Sequence, residues 1–416
     1  MTAFTNQFAS GDRVQLAYVA EATFGTTPAT VGRFLRTTGE SLGFNLTKTG
    51  DKEITADAQP TSLVTTDAQA AGDIKVHMQY AEYDPLIAAV CRGAWSAYGT
   101  NGVGTTFSAS ITAGTLGTVA SVLTAGAAPV GANAFTTLQP GQWFRLNCPA
   151  NGNDGKLFRV STSVAPTATT ITFDVNTPAV LATAVANSTV STSRLANGVL
   201  MNSFTIEQQS PDINQVFAFT GMFPSKFSTA FTAAQLTEGT FSFIGKNSTR
   251  TGATTLTGST VASQAYDIHN GVTGVGTLWE AGVPLASTSI KMISVDIDSN
   301  LRGQGALGTL GLVGVGIGTI SVKGSFEVYF ANGNLYDKFL ANTYTSLIFS
   351  SQDASGNGYV ITIPKVQIMT SKIDAGGKNS DLMASFTYEA VADRTNANAA
   401  LQKTIIIDRV GAAVTP

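Results

Sequence analysis

Two stretches of the chain run through the same succession of segments, and no other feature limits the fold so closely. A strand ending in a Lys- or Arg-containing, glycine-bearing loop comes first, as FLRTTGESLGFNLTKTG (34–50) and IKMISVDIDSNLRGQG (290–305). A strand followed by a short helix comes next, as GDIKVHMQYAEYDPLIAAVCRG (72–93) and GTISVKGSFEVYFANGNLYDKFLAN (318–342). Three strands close the unit at 203–246 and again at 346–390, with a proline inside the middle one each time, Pro224 and Pro364. Such a repeat is one supersecondary assembly written twice. The expected fold is therefore mainly β: two tandem domains of sandwich or barrel type, each with one short flanking helix.

Local patterns agree with strands. Short β-branched and aromatic runs at 33–46, 73–80, 203–209, 216–223, 239–245, 290–298, 319–330, 346–350, 359–373 and 382–391 are punctuated by Gly, Asn, Asp and Pro. Alternation is clean where Ile320, Val322, Phe326, Val328 and Phe330 face one way and Ser321, Lys323, Ser325, Glu327 and Tyr329 the other, the mark of a half-buried strand. The helices are expected at Asp84–Arg92, with Asp84 as N-cap before Pro85, and at Asn334–Ala341, capped by Asn332 or Asn334.

The first unit is interrupted. Expected boundaries are 1–93 with 203–246 for the first domain, 94–202 for an inserted β-rich domain, 247–288 for a loop-rich linker and 289–416 for the second domain. PGQWFRLN, KLFRVSTSV and TTITFDV read as strands of the insert, whereas the Ala/Gly/Thr/Ser tract at 109–133 has the composition of low-complexity disorder.

Charge excludes several function classes. Only 12 % of residues are charged, about half of the roughly 25 % of an ordinary domain, so much of the surface is uncharged or destined for an interface. A net charge of −3 gives no footprint for tight, salt-sensitive nucleic-acid binding. Cys91 and Cys148 stand alone and make neither a disulfide framework nor a zinc knuckle. The N-terminus lacks a basic stretch followed by an apolar one, which points to folding in a cytoplasm. The uncharged run 303–322 has the length of a membrane span, but its seven glycines favour an extended hairpin, and no membrane association is expected.

No chemistry is expected either. GQGALG (303–308) matches the GxGxxG phosphate fingerprint but runs on into a strand instead of opening a helix. His77 and His269 lack further ligands at metal spacing, no serine sits in a nucleophile elbow, and no cofactor site is read. Asp296 and Asp298 share a strand face, which is more often solvated than catalytic. The alternating Phe217, Phe219, Phe223, Phe227 and Phe231 carry only Lys226 among them and read as packing residues, not a nucleic-acid platform.

The repeat, the absence of chemistry and several segments resemble the major tail tube proteins of long, flexible-tailed bacteriophages. AEATFGTTPA (20–29), the 72–95 stretch, GSFEVYFANGNLYDKFL (324–340) and ALQKTIIIDRV (400–410) carry the likeness, and PGQWFRLN (140–147) resembles a module inserted in larger members. The resemblance implies a non-enzymatic virion protein, assembled in the bacterial cytoplasm, whose rings stack into the conduit for genome ejection. Single-domain members form hexameric rings, so a chain with two tube domains implies a trimeric, pseudo-hexameric ring, with a hexamer as the alternative. Further implied partners are the tape measure protein and passing DNA in the lumen, without tight binding, and the tail tip and terminator proteins.

By the same resemblance the loops 48–71 and 302–317 reach neighbouring subunits and the next ring, through Lys48, Lys52, Glu53, Ile54, Arg302, Gln304, Leu310 and Leu312. The channel face is expected to be polar and acidic so that DNA slides, with Glu207, Asp296, Asp298 and Glu327 as candidates. The insert is expected outside the tube. A tail terminator or capsid decoration protein is the nearest alternative, and a secreted adhesin or surface-layer protein a more distant one.

Overall fold

The computed structural model describes residues 8–96, 98–256, 260–272, 278–285 and 290–414. The fold is mainly β, built from large antiparallel sheets with two short α-helices among the described residues. Its first part comprises β1 (Gln15–Ala20), β2 (Arg33–Leu35), β3 (Gly39–Glu40), β4 (Gly43–Gly50), β5 (Leu63–His77) and α1 (Asp84–Val90). The expected long loop at 48–71 is largely strand instead: β4 and β5 pair from Gly43↔Ala71 out to Gly50↔Leu63, leaving only 51–62 as a tip. Thr and Val supply the β-branched side chains that suit such a ribbon.

A separate sheet then forms from β6 (Phe107–Thr112), β7 (Val122–Ala125), β8 (Trp143–Asn147), β9 (Lys156–Arg159), β10 (Thr170–Thr172) and β11 (Ala182–Ser191), in the order β10-β7-β6-β11-β8-β9. Phe107, Ala109, Ile111, Phe144, Phe158 and Phe173 build its own core. The tract at 109–133 is thus ordered in part, because alternate residues of β6 and β7 point into that core. The chain leaves for this sheet and returns beside itself, Val103 bridging Ser191.

The main body resumes with β12 (Ser193–Ala196), β13 (Phe204–Ser210), β14 (Gln215–Thr232), β15 (Glu238–Gly245) and β16 (Asn247–Thr251), followed by the short β17 (Trp279–Glu280) and β18 (Val283–Pro284). Residues 257–259, 273–277 and 286–288 of the expected linker lie outside the described ones. The rest is β19 (Ile290–Asp298), β20 (Arg302–Gly305), β21 (Leu312–Gly316), β22 (Ser321–Tyr329), α2 (Asn334–Leu340), β23 (Thr345–Gln352), β24 (Gly358–Asp374), β25 (Met383–Ala390) and β26 (Ile406–Val410). The uncharged run 303–322 starts as the expected hairpin, β20 pairing β21.

Registers in the two parts coincide. Phe241 of β15 lies opposite Ile74 of β5, and Phe386 of β25 opposite Phe326 of β22. On the other edges, Glu40 faces Ile74 and Ile293 faces Phe326. One detail is reproduced atom for atom: Ser41 Oγ accepts the Asp73 N–H at 3.0 Å, and Ser294 Oγ accepts the Ser325 N–H at 3.0 Å. The residue before each N–H is a glycine, because a Cβ on Gly72 would stand 2.4 Å from the Ser41 carbonyl oxygen and one on Gly324 2.1 Å from that of Ser294. Ser41 therefore sits where Ser294 does, three positions out of step with a pairing of 34–50 and 290–305 that starts from Phe34 and Ile290; a register shift between Ile290 and Met292 has no counterpart in the β3–β5 pairing.

The long strands β14 and β24 each change partners midway. The first half of β14 pairs β13 and β16, the second half β15; β24 goes from β23 and β26 to β25 in the same way. Each switch carries register shifts, between Pro224 and Lys226 and between Ile368 and Thr370, and Pro364 lies within a further one. Bulges are where a strand tolerates proline and bends. A shared core runs through both parts, with Phe227 stacked on Phe241 at 4.5 Å and Phe326 on Phe386 at 5.1 Å. Such ring pairs add about 0.5–1.5 kcal/mol each beyond area burial.

Candidate assembly surfaces

The two parts meet in a joint with two components. Strand β14 pairs antiparallel with β19 from Lys226↔Asp298 to Thr232↔Met292, so β5, β15, β14, β19, β22 and β25 run on without a break into the second half of β24. Beside it, β24 and β26 clamp α1. The Tyr359 hydroxyl donates to Asp84 Oδ1 at 2.6 Å and accepts the Ala81 N–H at 2.8 Å. Arg409, opposite Tyr359 in the register, pairs with the Asp84 carboxylate and lies 5.3 Å above the Trp95 ring. Burial, reinforced by Asp84, pushes the Tyr359 phenol well above its ordinary pKa, so it stays a donor.

This arrangement corrects the expected cap of α1. Asp84 is the first helical residue and Tyr83 the N-cap, because the Asp84 carboxylate is spent on Tyr359 and Arg409. The expected cap of α2 is corrected too: Gly333 is the N-cap and Asn334 the first helical residue, with Asn332 Oδ1 accepting the Asn334 N–H at 3.1 Å from just outside the helix. The helices differ in cover. Five apolar residues and Asp84 of α1 are buried, whereas only Leu335 of α2 is, and Leu340 is 64 % exposed.

A buried ion pair fastens β12 to β26. Arg194 Nε and Nη2 reach the two Asp408 oxygens at 2.7 and 2.8 Å, and Asp408 Oδ2 also accepts the Trp143 N–H of the insert at 3.0 Å. Neither side chain is more than 4 % exposed.

Two hairpins carry exposed apolar side chains near their tips. On the first, Lys48, Lys52, Glu53 and Ile54 are exposed, along with Leu63 and Val64. Asp51 organises the tip by accepting the Thr61 N–H at 3.0 Å and the Ser62 hydroxyl at 3.1 Å. On the second, Arg302, Gln304 and Leu310 are exposed, and so is Leu307. Leu312 is a correction: it is buried, since this hairpin lies on the first part of the chain, with Gly303 against Leu312 and Ile244 and Gly311 beside the Ala68 and Lys246 carbonyls.

The expected channel carboxylates separate into two groups. Asp296, Asp298 and Glu327 share the polar face of the continuous sheet, where lysines interleave with them: Lys226 lies 3.9 Å from Asp296, Lys291 3.4 Å from Glu327, and Lys323 3.4 Å from Glu389. Glu207 is not on that face. It is wholly buried, and although burial raises its pKa, bonds from Thr254, Thr255 and Gln209 outweigh this and hold the carboxyl below its usual range. Thr254 and Thr255 left no sign in the sequence, because they come from beyond β16, more than forty residues away, whereas Gln209 is a near neighbour on the same strand.

Among the described residues no group of His, Cys, Asp and Glu could hold a metal, and no helix is long and apolar enough to cross a membrane. Both cysteines are buried, and burial pushes the Cys91 thiol up to about 12. Four of the five alternating phenylalanines pack inside, but Phe217 is 37 % exposed, opposite Arg250 in the β14·β16 register. Neither that pair nor the clamp on α1 shows in the sequence, because each joins segments far apart in the chain. The model of one protein family, described as phage tail tube protein, matches residues 11–390. No curated protein matches the chain.

Proposed function

The chain belongs to the phage tail tube protein family, and from that membership we propose that it polymerises as stacked rings into the tube through which the genome is ejected. The two register-matched parts are two tube domains in tandem, so three chains supply the six domains of a pseudo-hexameric ring. The observation that carries this reading is the continuous sheet: the parts join edge to edge through β14 and β19, while the outer edge of β4 and that of 366–374 in β24 have no partner strand among the described residues. Open edges of this kind template further pairing, and a head-to-tail joint closes into a ring.

The polar face with Asp296, Asp298 and Glu327 lines the lumen. Its carboxylates are interleaved with lysines that are mostly paired with them, so a passing phosphate backbone meets no free cationic cluster to release counterions onto and slides without sticking. The tape measure protein occupies the same lumen before ejection, the hairpin tips reach the adjoining ring, and tail tip and terminator proteins close the ends. The insert decorates the outside. The protein assembles in the host cytoplasm and has no catalytic role.

Negative-stain electron microscopy of the purified chain over a concentration series, with and without a tail-tip complex as nucleus, tests the reading. Hollow rods or rings with three-fold end views and outer projections are expected. Six-fold views with one chain per lobe refute the trimer, and uniform monomers under both conditions refute the tube.

A further inference from the structure

We propose that the contact between neighbouring chains is a copy of the β14–β19 joint inside the chain, in register, with β24 of one chain pairing along β4 of the next. This rests on the ring reading above and specifies its interface.

The argument is one of matched positions. Inside the chain, the first part gives the second half of β14 and the second part gives β19. Through their pairings with β15 and β25, Phe227 matches Ser371 and Thr229 matches Ile373. Through Ser41 and Ser294, Leu42 matches Val295 and Phe44 matches Ile297. The internal pairs Phe227↔Ile297 and Thr229↔Val295 thereby become Ser371↔Phe44 and Ile373↔Leu42 between chains. Ile373 is 39 % exposed and is the last apolar residue of β24, as an unfinished joint requires.

The hairpins follow the same match. The second rests on Ile244, Ala68 and Lys246, and the matching positions Glu389, Ile320 and Val391 border an open groove of about 620 Å³ where a neighbour's first hairpin would lie.

Cysteine pairs read the register directly, since a disulfide forms only between closely opposed Cβ atoms, and the native thiols are buried. L42C/I373C and G43C/K372C, adjacent positions on opposite faces, sample both kinds of antiparallel pair; L46C/I373C is displaced. Oxidation of assembled rods should give ladders of covalent multimers from at least one in-register pair and none from the displaced pair. Ile373→Asp, exposed in the free chain, should abolish rods without shifting the unfolding transition. Rods that assemble but link in neither in-register pair, or link in the displaced one, overturn the joint and leave the tube standing. Rods from Ile373→Asp as readily as from the wild type overturn the joint as well, whereas a wild type that assembles under no condition overturns tube and joint together.

Discussion

Removing the carboxylate of Asp408 should destabilise the chain by several kcal/mol, far more than any surface charge. Asp408 is wholly buried, its two oxygens take both forks of Arg194, and one of them also accepts the Trp143 N–H. In Asp408→Ala the Arg194 guanidinium stays inside with no counter-charge, a fault that costs about 3–5 kcal/mol. The stranded Trp143 amide adds about 1–3 kcal/mol more where water cannot reach it. Asp408→Asn keeps an acceptor for Trp143 and should fall near the lower figure. Arg194→Met strands the carboxylate and should cost about as much, but the double variant Arg194→Met/Asp408→Asn leaves no buried charge and should recover most of the loss. Urea unfolding at neutral pH and low protein concentration, followed by tryptophan fluorescence, measures all four; Trp143, edge-on to Trp279 at 5.2 Å, reports at the site itself. A loss under about 1 kcal/mol for Asp408→Ala, or a double variant no better than the worse single one, would refute the pairing argument.

Acid should weaken the fold through His269. Burial lowers its pKa to about 4 from 6.5, with Nδ1 held 2.9 Å from the Ser351 hydroxyl; between those values the unfolded chain binds a proton that the folded one refuses, so stability falls as pH drops through that window, by about 3 kcal/mol in all. His269→Gln should flatten this part of the pH profile in urea titrations at pH 7 and pH 5, and an unchanged profile refutes the assignment. Gly72→Ala and Gly324→Ala should each lower the melting temperature by a similar amount, since both would press a Cβ against a main-chain carbonyl. Ile54→Ser, at a fully exposed tip position, should leave unfolding unchanged and reduce rod formation, read by thermal melting and sedimentation.

Strand existence and helix positions were legible because apolar alternation in β15, β19, β22 and β25 is set by one buried face, and sequence period reports that directly. Bounds failed where burial no longer drives the backbone. The arms of the first hairpin run on as strands past the core, with polar Thr, Lys and Gln on both faces, so no periodicity announced them. The insert tract at 109–133 was misjudged for the opposite reason, since Ala and Thr in β6 and β7 are too small to show a period although they pack inside. Glu207 and Leu312 owe their burial to segments distant in sequence, Thr254 and Thr255 for one and the first part's Ala68 and Lys246 for the other, which no pattern in their own strands reports.

The joint between β14 and β19 is closed by the chain itself. Its two halves face each other at an effective concentration set by the connecting segment, not by how much protein is present. A joint between chains must instead recover the translational and rotational freedom lost on association, about 4–15 kcal/mol each time. On the proposed ring, alternate joints therefore answer to dilution and the others do not, so growth and disassembly proceed in whole chains and no ring opens through the middle of a subunit.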